Sequence, residues 1–441
     1  MGNGNSTRYE VFPRVVLGGA ETTIAIRPLD EAGRFDTAAR YEATYFPVEE
    51  FALKSGWPDK NQPPVRLADG ELKISQFFEG EQEHVLLVEA VAGELRTPVG
   101  SFRVYSLEPD LHARRVFKGD FHIHSDRSDG HEPPAHVAAA CRAIGMDFLA
   151  VTDHRKYAPS LEAAQAFAGV PIDLAIHPGE EIHPPDNPVH MINFGGSFSV
   201  NDLFADERAY RQSVSRVERT LGDLPAGVDR YQYASCLWVF DQVRKGGGLW
   251  IFCHPYWFVH NRYAPSGPIT SALLENQPFD ALELIGGYHR DEADSNTLQV
   301  ARYHERQAAG RRIPIVGVSD AHGCRRGELF GWYYSIIFAA STRVPDIIEA
   351  VKNMYSVAVE AMPGQNVRAH GPFRLVKYSL FLIREVFPAH DELCSREGKL
   401  MLDHLAGGAS AATALAKLQG AAAALMARIC GSGSSLHKEE T

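Results

Sequence analysis

The 441-residue sequence is short of cysteine, of positive charge and of long apolar runs, and each shortage removes a class of protein. Its six cysteines, Cys141, Cys236, Cys253, Cys324, Cys394 and Cys430, stand singly, with no C-x-x-C pair. A disulfide scaffold, a zinc ribbon and a redox dithiol are therefore poor readings. Scattered single thiols suit a reducing compartment, and a cytoplasmic location is expected. Lys plus Arg total 44 against 55 for Asp plus Glu, a net charge of −11. Non-specific binding of nucleic acid needs a wide basic surface, so long nucleic acid is not expected as a partner. A short oligonucleotide or another small anion held by a few local cations stays open.

No apolar stretch reaches the roughly 20 residues that span a bilayer, so no membrane span is expected. The Ala-rich stretch at 409–429 is interrupted by Lys417, Gln419 and Arg428. The N-terminal sequence lacks a charged region followed by an apolar one, so no signal peptide is expected. MGNGNS, with Gly2 and Ser6, matches a myristoylation pattern only in form. Apolar residues at 45% and charged residues at 22% are ordinary for a globular chain. The length suggests two to four domains at roughly 100–200 residues each.

Three regions differ in pattern. Residues 8–107 hold short, partly alternating runs such as TTIAIRPL, GELKISQFF and SFRVYSL, separated by Gly18-Gly19, Trp57-Pro58-Asp59 and Asp69-Gly70. Short strands with frequent turn signals predict a sandwich or small barrel. After Lys118, strand-like stretches alternate with helical ones, as in an α/β domain, with a polar helical insert at about 200–245. From about 366 the chain reads as helical, ending in a GSGSSLHKEET segment expected to be disordered.

What the sequence has in plenty is histidine: nineteen in all, thirteen of them between His122 and His322. A single histidine on a strand is most often a core or surface residue, so the argument lies in the grouping. His122 and His124 are two apart in GDFHIHS, which puts both imidazoles on one strand face. Asp129 follows in a turn. Asp153 and His154 end the apolar run FLAVTDH; Glu180 and Glu181 precede His190; His254 ends LWIFCH; Asp320 and His322 end IPIVGVSDAH. Imidazoles mixed with carboxylates suit Mn, Zn or Fe better than Ca or Mg. Side chains at the carboxyl ends of buried strands are where parallel α/β barrels place their active sites.

The motifs HIHSDRSDG at 122–130, VTDH at 151–154, GEEI at 179–182, HMINFGG at 190–196, CHP at 253–255 and SDAH at 319–322 occur in one order. Together they resemble the polymerase-and-histidinol-phosphatase (PHP) family of metal-dependent phosphoesterases. The resemblance covers about 116–365. It implies an α/β fold, a distorted (β/α)7 barrel, between an N-terminal β-sandwich-like domain at 1–115 and a helical C-terminal extension at 366–441. It also implies two to three divalent ions (Mn, Zn or Fe). By the family's motifs His122, His124, Glu181 and Asp320 would hold one ion. Glu181 would bridge to a second, shared with His190 and His254, and Asp129, His154 and His322 would hold a third. Glu180 competes with Glu181 as the bridge; Glu181 is preferred because it directly precedes the Ile of GEEI. His131, His177 and His183 fit no motif and are read as surface residues or as residues packed just behind the ligands.

The expected activity is hydrolysis of a small organic phosphate monoester or diester, because a hydroxide held between two ions is a nucleophile at neutral pH. Glu181, Asp320 and Arg155 are the expected catalytic residues. Arg155, Lys156, Arg325 and Arg326 follow metal motifs directly and could hold phosphate, while Tyr256 and Trp257 could line the pocket. Two alternatives stand beside this reading. The same hydroxide would attack an amide or carboxylic ester, and a non-catalytic recognition protein could keep the scaffold. Retention of every expected ligand speaks against the last. The oligomeric state is not legible.

Overall fold

A computed structural model describes residues 8–49, 62–325 and 329–431. Gly2 and Ser6, the Trp57-Pro58-Asp59 turn, Arg326 and the terminal residues 432–441 lie outside the described residues. The chain divides into two units: Met1–Arg114 with Lys377–His390 and Gly420–Thr441, and Arg115–Val376 with Asp391–Gln419.

In the first unit two four-stranded sheets face each other across one core. One sheet orders Tyr9–Phe12, Ala20–Pro28, Glu71–Phe78 and Val65–Ala68; the other orders Val15–Leu17, Leu95–Leu107, Glu83–Ala92 and Arg40–Pro47. The alternation seen in the sequence carries this arrangement. In ELKISQFF every second side chain, Leu72, Ile74, Gln76 and Phe78, is buried. These pack with Ile24, Ile26, Leu86, Val88, Phe102 and Val104 from the neighbouring strands. Each fully buried aliphatic or aromatic side chain contributes roughly 1.5–3 kcal/mol. A buried imidazole lies in this unit: His84, bonded to Tyr45 Oη at 2.8 Å and to the buried Ser106 Oγ at 2.7 Å.

The second unit is mixed α/β. One sheet orders Ala175–His177, Phe148–Ala150, Arg115–Asp120, Tyr333–Ala339, Ser356–Glu360 and Arg368–His370. The first three strands run parallel, and Tyr333–Ala339 runs antiparallel to Arg115–Asp120. A second sheet orders Gly179–Ile182, Met191–Phe194, Leu249–Phe252, Ala281–Ile285 and Ile315–Gly317. Most of these strands are apolar on both faces, as strands buried on both sides must be. Phe121, Phe148, Phe194, Ile251, Val316 and Ile337 form the shared core. Packing there is close enough that a Cβ on Gly119 would lie 2.2 Å from the Phe148 ring.

No closed sheet occurs among the described residues, in contrast to the single barrel expected from the sequence. Pro178 separates Ala175–His177 from Gly179–Ile182, and the chain changes sheets across it. Two isolated parallel bridges, Ile123↔Ala321 and His154↔Glu181, join the two sheets; Ile123, Ala321 and His154 lie just past their strands, and Glu181 lies within Gly179–Ile182. Both bridges lie inside the histidine-bearing motifs. Four of the helices begin on proline or on an acidic cap: Pro134–Ala143 and Val344–Lys352 carry Pro in their first turns, and Asp206 and Asp229 accept from Ala209 and Gln232 N–H groups. Glu207–Thr220 and Arg230–Lys245 make up the polar insert, with a small core of Tyr210, Val214 and Ala234.

Candidate metal centre

The motifs meet because buried carboxylates tie their backbones together. Asp120 accepts from the N–H groups of His122 (3.2 Å) and Ser319 (3.1 Å), and Asp320 N–H donates to His122 O at 2.8 Å. The HIH and SDAH segments are thereby zipped side by side. Asp153 anchors the turn after HIH: its carboxylate accepts from Ser125 N–H (2.9 Å), Ser125 Oγ (2.5 Å) and Ser128 N–H (3.1 Å). Asp153 is thus committed to the loop that carries Asp129. His254 and Asp320 have positive φ values of 27° and 50°. Such strain in non-glycine residues persists only where the surroundings hold it, and it is common at functional sites. Gly287, at φ 70°, passes Asp320 where a Cβ would lie 3.2 Å from Oδ2.

The side chains form three overlapping groups. In the first, His122 Nε2 and His124 Nε2 lie 3.1 and 2.9 Å from Asp320 Oδ1, and 3.8 and 3.7 Å from Glu181 Oε2. In the second, Glu181 Oε1 lies 3.0 Å from His190 Nδ1 and 3.2 Å from His254 Nε2. In the third, Asp129 lies 3.3 Å from His154 Nε2, 3.4 Å from His322 Nε2 and 3.9 Å from His124 Nδ1. All nine residues expected as ligands are brought together. Glu181 touches the first two groups and also contacts His154 Nδ1. Glu180 points elsewhere, accepting from Asn193 Nδ2, Ser199 Oγ, Val200 N–H and Asn201 Nδ2.

Two residues were missed by sequence reasoning. His183, read as a surface residue or one packed behind the ligands, lies with Nε2 3.2 Å from Glu181 Oε2, its ring 3.9 Å from that of His190. Its position two residues past Glu181, on the same side of an extended segment, was the available signal. Glu283, fully buried, lies with Oε2 3.3 Å from His122 Nδ1 and Oε1 3.3 Å from His254 N–H. It comes from the strand ALELI, where nothing marks one glutamate as special. His131 is exposed, and His177 packs on Phe148 and Phe194 away from the cluster.

Among the expected phosphate contacts, Arg155 is exposed and lines a groove of about 710 Å³ with His183 and His190. Lys156 donates to the backbone oxygen of Arg127, and Arg325 lies 4.0 Å from Glu132 Oε1, so both are turned to other partners. Trp257 lines a cavity of about 500 Å³ over the cluster, together with Asp129, His154, His254 and His322. His289 and Glu292 line the same cavity.

The donor set fits divalent cations. His122 Nδ1 lies 3.3 Å from Glu283 Oε2, and its Nε2 faces the Asp320 carboxylate and His124 Nε2, 3.1 Å away; burial lowers this imidazole, but Asp320, Glu181 and Glu283 overcome it and hold it well above its usual range. Carboxylate oxygens and imidazole nitrogens gathered this closely are stabilised by positive charge among them, a proton or a metal ion alike. Nδ1 of His124, His190 and His254 and Oε2 of Glu181 are buried without a well-formed hydrogen bond. Burial raises the Glu181 carboxyl, but His190, His122, His154 and His183 overcome this and hold it well below the usual range. Asp320 is likewise raised by burial and held well below by His122 and His124. Burial pushes His124 and His190 down to about 4, so both rings are neutral near pH 7, the form in which an imidazole can bind a metal ion.

No family model matches the sequence, and no curated protein matches it. Solved structures do resemble the chain. One is a two-domain protein from Bacteroides vulgatus containing a predicted PHP-like metal-dependent phosphoesterase: 18% identical, over 57% of this chain and 66% of that one, just under two thirds, with a TM-score of 0.38. A candidate metal-dependent phosphoesterase from Bifidobacterium adolescentis is 22% identical over 46% of this chain and 87% of its own, with a TM-score of 0.31. Both are described as metal-dependent phosphoesterases. An amidohydrolase from Chromobacterium violaceum with bound sulfate and no metal is 19% identical over 46% of this chain and 87% of its own, with a TM-score of 0.27. Among the described residues no helix is long and apolar enough to cross a membrane.

Proposed function

We propose that this chain is a PHP-type metal-dependent phosphoesterase that hydrolyses phosphate monoesters or diesters. The observation that carries the reading is the sharing of one buried carboxylate, Glu181, between two imidazole groups, with Asp129 gathering a third group beside them. His122, His124, Asp320 and Glu181 would hold one ion, Glu181, His190 and His254 a second, and Asp129, His154 and His322 a third. His183 competes for a place at Glu181. The two bridges at 123–321 and 154–181 support reading the paired sheets as one distorted (β/α)7 barrel with the cluster at its rim. Divalent ions at these positions supply the Lewis acidity that an in-line displacement at phosphorus requires.

The residues around the cluster divide the remaining work. Glu283 fixes the His122 tautomer through Nδ1 and so aims Nε2 into the cluster. Asp153 holds the turn that presents Asp129. Arg155 lines the groove that meets the cluster at His183 and His190, where it can hold an anionic group of the substrate. Net hydrolysis adds water across one P–O bond and releases an alcohol. The test is a panel of phosphate monoesters, phosphodiesters, carboxylic esters and amides, on protein loaded with Mn, Zn or Fe. Turnover confined to carboxylic esters or amides would replace the phosphoesterase reading with that of another metal-dependent hydrolase.

A further inference from the structure

The third group of the candidate centre is the one that burial does not fix. The Asp129 side chain is 54% exposed and that of His322 35%, whereas His122, His124 and Glu181 are fully buried. Asp129 and His322 also stand on separate loops, 125–132 and 319–325. The backbone pairing between the two segments stops short of both residues. Asp320 N–H donates to His122 O at 2.8 Å and His124 N–H to Ala321 O at 3.0 Å; among the described residues no backbone bond joins 125–132 to 322–325.

Past that point the tie is Glu132. Its carboxylate, 4% exposed, accepts from Cys324 N–H at 2.9 Å through Oε2. Its backbone oxygen accepts from Asp126 N–H at 2.9 Å. With Gly130 N–H donating to Ser125 O at 2.9 Å, that bond closes the loop that carries Asp129. Pro133 and Pro134 follow and lead into the helix Pro134–Ala143, and the fixed φ of each proline gives the Glu132 side chain a stiff base. One residue thus holds the Asp129 loop by its backbone and the His322 loop by its side chain. The two loops are also in close contact, since a Cβ on Gly323 would lie 2.8 Å from the His131 ring. Within its own loop His322 donates Nδ1–H to Asp320 O at 2.9 Å, which leaves Nε2 on the side of Asp129, 3.4 Å away. Separating the loops would leave a buried carboxylate and an N–H unpaired, each at the cost of its desolvation.

We propose that Glu132 is a positioning residue for a divalent cation: it sets the spacing of Asp129 and His322 and so decides whether the third group keeps its ion. The proposal rests on the three-group reading of the cluster. The experiment is calorimetric titration of the metal-free full chain with Mn or Zn, with competition against a calibrated chelator. Wild type should bind three ions. Glu132→Leu, which fills similar space without an acceptor, should weaken one ion by at least about tenfold, in the range typical of residues that support metal ligands, and leave the other two at wild-type affinity. Glu132→Gln keeps an oxygen for Cys324 N–H and should restore most of the lost affinity. A merely structural role would lower the melting temperature of Glu132→Leu without singling out one ion. Wild-type affinity for all three ions in Glu132→Leu overturns the proposal, and so does an equal weakening of all three. Should Glu132→Leu fail to fold, Glu132→Asp decides: its shorter arm should weaken the same single ion, and unchanged binding there overturns the proposal. A wild type that binds two ions or fewer removes the three-group reading and the proposal with it. Three ions in the wild type with no selective loss in the variants remove the proposal alone.

Discussion

Glu180 and Glu181 are neighbours in sequence, both fully buried, and face opposite environments. Glu181 turns its carboxylate into five histidines, His122, His124, His154, His190 and His254, with His183 close by. Glu180 turns into a ring of neutral donors from Asn193, Ser199, Val200 and Asn201. The strand pairing Glu181↔Ile192 and Glu180↔Asn193 sets this alternation, because successive side chains on a strand take opposite faces.

The two glutamates should therefore separate cleanly on substitution. Glu181→Gln withdraws a charge shared between two ligand groups. Turnover should fall at least about a hundredfold, about 3 kcal/mol in the barrier, and bound metal should fall with it. Glu180→Gln should leave metal content near wild type and lower the melting temperature instead, because hydrogen bonds to a charged group contribute roughly 1.5–3 kcal/mol each. Metal analysis and thermal melting of both variants decide the matter. Metal loss in Glu180→Gln with retention in Glu181→Gln would reverse the assignment.

Why one glutamate was readable and Glu283 was not follows from where the signal lies. The ligand groups stand at strand ends in short polar motifs, where His, Asp and Glu interrupt apolar runs and period two fixes the shared face. The β-sandwich strands were legible for the same reason, as in the alternation of ELKISQFF. Glu283 sits in mid-strand between Leu282 and Leu284, and its meaning comes from His122, 161 positions away. The division of the second unit into two sheets, with the chain changing sheets at Pro178, is set by which partners the strands find, and that leaves no local pattern. The fate of Lys156 and Arg325 was equally hidden, since Arg127 O and Glu132 reach them through loops.

Glu283→Gln should act on the metal site without touching it. The side chain meets the His122 ring at Nδ1, on the edge away from Nε2, and a carboxylate there raises the basicity of Nε2. Partners of this kind are typically worth 10–100-fold in metal affinity. Competition against a calibrated chelator should show a loss in that range for Glu283→Gln. Affinity equal to wild type would mean that the Nδ1 contact does not tune the ligand.

His122→Ala combined with His124→Ala removes both imidazoles from the Asp320 group. Metal content should fall by at least one ion per chain, and activity should be lost. The sandwich unit should keep its own unfolding transition, since its core contains neither residue. Full activity in a verified metal-free sample of the wild type would end the metal-dependent reading.

The last prediction concerns His84, in the sandwich core, and comes from its hydrogen bonds. Ser106 Oγ donates to Gly80 O at 2.7 Å, so it must accept from His84 Nε2–H, and His84 Nδ1 then accepts from Tyr45 Oη–H. This network holds the ring neutral, and burial pushes its pKa from 6.5 down to about 4. Above pH 6.5 both folded and unfolded chains carry the ring neutral, and it adds no pH dependence. As pH falls from 6.5 to 4, the unfolded chain binds a proton that the folded chain refuses, so stability drops. The loss should be about 2 kcal/mol at pH 5 and approach about 3 kcal/mol below pH 4. Urea unfolding of the sandwich transition at pH 7 and pH 5 measures it. His84→Gln, which cannot titrate, should lose stability at pH 7 through its poorer fit between Tyr45 and Ser106, yet lose about 2 kcal/mol less than wild type between the two pH values. Parallel pH dependence in the two proteins would mean that the imidazole takes up its proton inside the folded core.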